Sequence, residues 1–377
     1  MNIAYVTPYY NGACDGRYGR FHDWIHAARD ADDPPFDFDI CAFTGSNLDE
    51  MLSSDPHAYL GSATDLWGTK WNKPEYLLNA RRIHRDLRNG DYDLIHVLPV
   101  DGIVLPTVLS AAQSTPIVLG PDIGGWSPIR KGEFAEQTGI EAAKNHLRMM
   151  FKQVTTRITP YAKVIAFSEY HRDILETFDI PRDRTTLLRP GVNNRFSPGP
   201  KHDVRDPPRL LYVGDFSAHK GYPLFLEALS RLDHSFDAHL VGTGDPNIER
   251  IRDLGIAESV TVDGFIPRAD LPAHYRAADL FVLPSIDEMG PNTEVEALAC
   301  GTPVVATDRP GINEYVSNDA AVFFSPRDAE TLAAAIDRSL DDLDRLQAGA
   351  RQVSSSFRAI DTAEALADTY RRVVSNS

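Results

Sequence analysis

Two carboxylates and one ammonium group carry the clearest chemistry in this sequence. The stretch 286–307 reads IDEMGPNTEVEALACGTPVVAT, with seven residues between Glu288 and Glu296 and a Gly-Pro-Asn-Thr run among them. An apolar run, LFVLPS (280–285), leads into it, and a short helical pattern starts at about Thr293 and stops at Gly301. One glutamate therefore precedes a helix and the other lies in its first turn. Thr293-Glu294-Val295-Glu296 fits a capping box, in which Glu296 bonds back to its own helix end. A second reading takes the amides of Asn292 and Thr293 as an anion site, since the first N–H groups of a helix lack intrahelical partners and lie at the positive end of its dipole. A phosphate held there would leave Glu288 facing whatever the phosphate carries. Glu296 would face the other side, towards a ribose, whose diol a carboxylate can accept from twice.

The ammonium lies in LYVGDFSAHKGYPLFLEAL (211–229), where a strand ends and a loop with Gly214, Lys220 and Gly221 enters a helix. Glycine lets backbone approach an anion closely and Lys220 supplies a mobile cation. The spacing is not that of a Walker A loop, and an ordinary strand-to-helix loop with a surface lysine has the same appearance. HLVGTGDP (239–246) is half a dinucleotide fingerprint or a plain tight turn, and Phe265 in VTVDGFIP (260–267) either sandwiches a base or belongs to a core. His96 ends a strand and could face a ligand. Two Asp-x-Asp runs, DFD (37–39) and DYD (91–93), resemble metal-binding pairs, but each opens a strand, where turn and edge solvation is the expected role. KNHLRMMFKQVTTR (144–157) is basic and amphipathic in an acidic chain. It suits either a peripheral contact with an anionic membrane or lipid phosphate, or a packed helix with a solvated face.

The elements that must position these groups alternate throughout. Strand candidates NIAYVT (2–7), FDICAFT (38–44), DLIHVL (93–98), PIVLG (116–120) and KVIAFS (163–168) are separated by helix candidates near 18–30, 74–89, 102–113 and 140–158. Residues 189–209 hold five prolines and no periodicity, which marks a linker. The rhythm restarts at LLYVGDF (210–216) and runs through HLVG (239–242), VTVDGF (260–265), LFVLPS (280–285), PVVAT (303–307) and AVFF (321–324). The pattern predicts an α/β protein of two Rossmann-like, doubly wound parallel-sheet domains facing a central cleft. Their expected bounds are 1–190 and 209–357, with a linker at 191–208 and a final helix, about 358–377, able to pack back on the first domain.

A chain of 377 residues exceeds one ordinary core. The net charge of −16 speaks against nucleic acid as a partner. With 8 Lys against 30 Arg, the acidic surface suggests a high-salt cytoplasm. Cys14, Cys41 and Cys300 match no zinc or redox spacing. The sequence shows neither an apolar run of membrane-spanning length nor a leader at its N-terminus, so a cytoplasmic protein is expected.

The stretch E288-M-G-P-N-T-E-V-E296-A-L-A-C-G-T-P resembles the E-x7-E region of the family 4 retaining glycosyltransferases, of GT-B fold and "glycosyl transferases group 1" type. LYVGDFSAHKG is similar to that family's Lys-Gly donor loop. VIAFSEYHRDIL (164–175) and LLRPGVNNRF (187–196) are similar to its interdomain segments, and LGPDIGG (119–125) to some of its N-terminal halves. The resemblance implies metal-independent, retaining transfer from a nucleoside-diphosphate sugar, with no cofactor, to a glycan or polyprenyl-linked acceptor at the cytoplasmic membrane face. It places Lys220 and the backbone of Gly214 and Pro291–Thr293 on the diphosphate, Glu288 on the sugar, Glu296 on the ribose and Phe265 near the base. On the acceptor side it implies Gly16, Gly19, His96 and Gly124, with Asp122 standing where many members carry a histidine. Asp215 replaces the arginine that usually follows the loop glycine. A nucleotide-sugar epimerase and a non-catalytic nucleotide-sugar binder remain open alternatives.

Overall fold

Both apolar rhythms fold into parallel sheets. The computed structural model describes residues 1–10, 19–45, 58–59, 74–98, 104–112, 114–121, 160–200, 205–286, 288–325 and 328–377. They divide into one unit of residues 1–188 with 360–377 and a second of residues 189–359.

The first unit runs β1 (Asn2–Tyr10), α1 (Gly19–Arg29), β2 (Asp37–Gly45), β3 (Ala58–Tyr59), α2 (Pro74–Asn89), β4 (Leu94–Val97), α3 (Val104–Ala111), β5 (Ile117–Leu119), β6 (Lys163–Ala166), α4 (Glu169–Glu176) and β7 (Thr185–Leu187). Its sheet has the order β3-β2-β1-β4-β5-β6-β7. β4 is buried at every position, as expected for a strand covered on both faces. The two-residue β3, β7 and α4 carry too little apolar pattern to have been read as separate elements. The basic segment 140–158 lies outside the described residues.

The second unit runs β8 (Arg209–Val213), α5 (Tyr222–Leu229), β9 (Asp237–Val241), α6 (Ile248–Asp253), β10 (Val260–Gly264), α7 (Leu271–Ala277), β11 (Leu280–Leu283), α8 (Asn292–Ala299), β12 (Val304–Thr307), β13 (Ala321–Phe324), α9 (Ala329–Asp341) and α10 (Leu343–Val353). Its sheet order, β10-β9-β8-β11-β12-β13, is that of a Rossmann domain. Gly301, at φ +78°, follows α8 and ends it, because a left-handed residue stops a helix at little cost only when it lacks a Cβ.

The Pro-rich segment expected as a linker is held on the second unit as far as residue 200. Val192 N–H donates to Phe357 O and Ala359 N–H to Val192 O, both at 2.9 Å. Arg276 donates to the carbonyls of Arg195 and Ser197, and Arg351 to that of Gly199. The last helix, α11 (Ala359–Ser375), runs from the second unit into the first. Among the described residues no helix is long and apolar enough to cross a membrane.

Candidate functional site

The second sheet reverses its order between β8 and β11, and ligands of open α/β sheets bind outside the strand ends at such a point. The loops that follow these two strands interlock there. Ile286 N–H donates to His219 O at 3.0 Å. Gly221, at φ +69°, packs so closely on the other loop that a Cβ would lie 1.9 Å from Pro284 O. Across this junction Lys220 Nζ donates to Glu288 Oε1 at 2.5 Å. Both side chains keep part of their surface in solvent, 28% and 15%. Residues 68 positions apart in sequence thus form one ion pair on the switch point.

α8 begins beside Glu288. Its N-cap is Pro291, whose own side chain makes no capping bond, so the helix starts one residue before Thr293 and the capping-box reading is corrected. The amides of Asn292 and Thr293 keep no intrahelical acceptor. Glu296 points elsewhere. Its Oε1 accepts from Arg268 Nε at 2.7 Å and its Oε2 from Tyr275 O–H at 3.0 Å, all buried. Sequence reasoning missed both partners, because Arg268 and Tyr275 lie in a different βα unit and no spacing links them to Glu296.

Glu294, in the same first turn, could by sequence supply the dipole compensation; its burial was not legible there. It is fully buried, and neither carboxylate oxygen has a hydrogen-bond partner among the described residues. Burial, and then the negative charge of Glu288, hold its carboxyl well above the usual carboxylate range. Burial thus favours the protonated form of Glu294. In that form it adds no charge to the positive end of α8, which favours an external anion.

Gly214 follows β8 and Gly242 follows β9. A Cβ on Gly242 would lie 1.7 Å from Gly214 O, so this pair of strand ends closes only around glycine. Gly214 N–H itself donates to Val241 O, which commits that amide to the protein. Phe265, just past β10, is 69% exposed; the core alternative is corrected and an uncovered ring is left for a partner. Asp215 is exposed, and its carbonyl accepts from Tyr212 O–H at 2.6 Å.

In the first unit His96 is enclosed instead of facing a ligand. Its Nε2–H donates to Gly120 O at 2.6 Å, and its Nδ1 accepts from Tyr370 O–H at 2.5 Å. A carbonyl can only accept, which fixes this tautomer. Burial lowers the imidazole pKa to about 4. His96 thus fastens α11 to β4 and has no lone pair left for an acceptor. Gly19 is the first residue of α1, after β1 at the reversal between β1 and β4. Gly16, Asp122 and Gly124 lie outside the described residues, as does Cys14. Cys41 and Cys300 are buried free thiols. Asp39 accepts from Tyr92 O–H and Asp93 from Asn2 N–H, both at 2.8 Å, so the two Asp-x-Asp runs tie strand starts together.

Residues 207–342 match the family model of the glycosyl transferases group 1. The second unit therefore carries a domain of that family, and the chain has the GT-B architecture of two Rossmann-like units. A D-inositol 3-phosphate glycosyltransferase of Thermobispora bispora is 33% identical over 226 residues, 53% of this chain and 53% of that protein. A mannosylfructose-phosphate synthase of Agrobacterium fabrum is 33% identical over 199 residues, 45% and 43% of the two chains. The chain thus matches about half the length of these curated relatives. Among solved structures, the sucrose-phosphate synthase of Thermosynechococcus elongatus superposes with a TM-score of 0.76 at 22% identity, covering 100% of both chains. Anabaena HepE in complex with UDP-glucose gives 0.71 at 20% identity, covering 99% of this chain and 100% of that one.

Proposed function

We propose that the chain is a retaining, metal-independent glycosyltransferase that takes its sugar from a nucleoside-diphosphate donor bound on the second unit. The Lys220–Glu288 pair carries this reading. It joins the two loops of the switch point beside the N-terminus of α8, and both partners are partly open to solvent. An incoming diphosphate competes for Lys220 and lies against the amides of Asn292 and Thr293. Glu288, released from Lys220, then accepts from hydroxyls of the sugar. As the glycosidic bond to phosphate breaks, charge grows on the leaving diphosphate. Lys220 and the positive end of α8 are preorganised to stabilise it. With Asp215 where the family usually has a second cation, these two carry most of that work. Phe265 offers an apolar face for the base and Glu296 an acceptor for the ribose.

The structural neighbour bound to UDP-glucose makes UDP-sugars the first donors to test. Three relatives or neighbours are named for products or substrates that are phosphorylated polyols or sugars, which favours a small sugar- or polyol-phosphate acceptor. A glycan or polyprenyl-linked acceptor is the second reading, and a cytoplasmic location fits both. The test is nucleoside-diphosphate release from UDP-, GDP- and ADP-sugars, with each acceptor class in turn and with metal chelated. Product analysis separates transfer from epimerisation, and the absence of release with any donor would leave a binder.

A further inference from the structure

Glu296 is almost completely enclosed: 3% of its side-chain surface is open. A side chain so confined cannot turn to meet a ligand, so its carboxylate plane has to be set beforehand. Two residues from outside α8 set it. Arg268 Nε reaches one oxygen at 2.7 Å and Tyr275 O–H the other at 3.0 Å. Each oxygen has two lone pairs, so one on each remains for a further donor.

The partners are themselves fixed. The Arg268 guanidinium lies over the Phe196 ring at 4.9 Å, a cation–π contact that resists its swinging away. Tyr275 is fully buried, its ring edge-on to Phe281 at 5.5 Å. Burial and the neighbouring Glu296 charge keep its phenol protonated, so it can only donate to the carboxylate. Purely for stability such an arrangement is an expensive choice, because desolvating two charges offsets most of their attraction. As a device for aiming two lone pairs it has a use.

We propose that Arg268 and Tyr275 are positioning residues that orient the Glu296 carboxylate to accept from both hydroxyls of the donor's ribose, giving the site its preference for ribonucleotides. The proposal rests on the reading of the second unit as a nucleoside-diphosphate site.

The test measures binding of UDP, 2′-deoxy-UDP and 3′-deoxy-UDP by calorimetry to wild type, Arg268→Lys, Arg268→Gln and Tyr275→Phe, with the GDP and ADP sets in parallel. A hydrogen bond to a charged group is worth enough that wild type should prefer the ribonucleotide by about 10-fold or more. In Tyr275→Phe, which keeps the ring packing, and in either Arg268 variant, that preference should shrink to within about 3-fold, by the same reasoning. Affinity for each deoxy compound, which keeps one of the two hydroxyls, should fall by less than that for the ribonucleotide. Variants that lose affinity for all three ligands in parallel, or that discriminate as wild type does, would overturn the proposal while leaving the nucleotide site standing. Wild type that binds UDP, GDP or ADP without regard to either hydroxyl refutes the ribose role of Glu296, and the proposal with it. Wild type that binds none of them refutes the nucleotide site itself.

Discussion

Lys220 and Glu288 hold one another across the switch point, and their separation in sequence explains why their meeting could not be read from spacing. Residue types and loop positions suggested two separate ligands of a phosphate and a sugar; only the sheet order brings them together. Replacing either by alanine should lower transfer by roughly 100- to 1,000-fold, the usual cost of losing one preorganised electrostatic group. Thermal melting should stay within a few degrees of wild type, since both side chains are partly solvated. Glu294 shows the opposite limit of sequence reading. A glutamate in the first helical turn looks like an ordinary dipole partner, and only burial reveals that its protonated form is favoured. Its folded pKa is raised, so its stability contribution is intact below the unfolded value, about 4.3, and is lost as pH rises from there. Glu294→Gln should therefore melt above wild type at pH 7–8, with the gap closing as pH falls towards about 4. Equal melting temperatures across that range would show that Glu294 is charged when folded.

At the scale of elements, α8 and the loops after β8 and β11 behave as one construction. The helix was legible from its apolar pattern and from Gly301, and the loops from their glycines. The reason for the glycines was not legible, because Gly221 is required by Pro284 O and Gly242 by Gly214 O, each on another strand's loop. Gly221→Ala brings a Cβ into a backbone oxygen at positive φ. It should cost about 1–3 kcal/mol as overpacking and weaken nucleotide binding with it, because Lys220 is the preceding residue. Denaturant titration and calorimetry check the two effects together. Loss of stability with unchanged nucleotide affinity would mean that the loop does not position Lys220. The strands of both sheets except β3 and β7 could be read from their apolar runs, whereas α6 (IERIRD) lies in a polar stretch whose helical period only packing makes visible.

For the whole molecule, the alternation of strands and helices was enough to read two Rossmann-like units, and the proline-rich segment marked where one rhythm stops. The histidine expected near an acceptor turned out to secure the chain's end, since Tyr370 lies 274 residues from His96. With its pKa lowered to about 4, His96 stabilises the fold fully above about 6.5. That contribution should fall away between pH 6.5 and 4, by about 3 kcal/mol in all. The stability difference between wild type and His96→Gln, followed by urea unfolding across that range, isolates this slope; no change with pH would mean that His96 is accessible to protons. The net charge of −16 adds that melting temperature should rise with ionic strength as self-repulsion is screened. The central claim is that the second unit holds a sugar nucleotide for transfer through Lys220 and Glu288. It is tested most directly by supplying UDP-glucose, together with GDP- and ADP-sugars and a panel of sugar-phosphate acceptors, to wild type and Glu288→Ala side by side. Wild type should release one nucleoside diphosphate in the presence of acceptor, and a folded Glu288→Ala protein should lose nearly all of that release. Release at wild-type rates from Glu288→Ala would rule out this role for the pair.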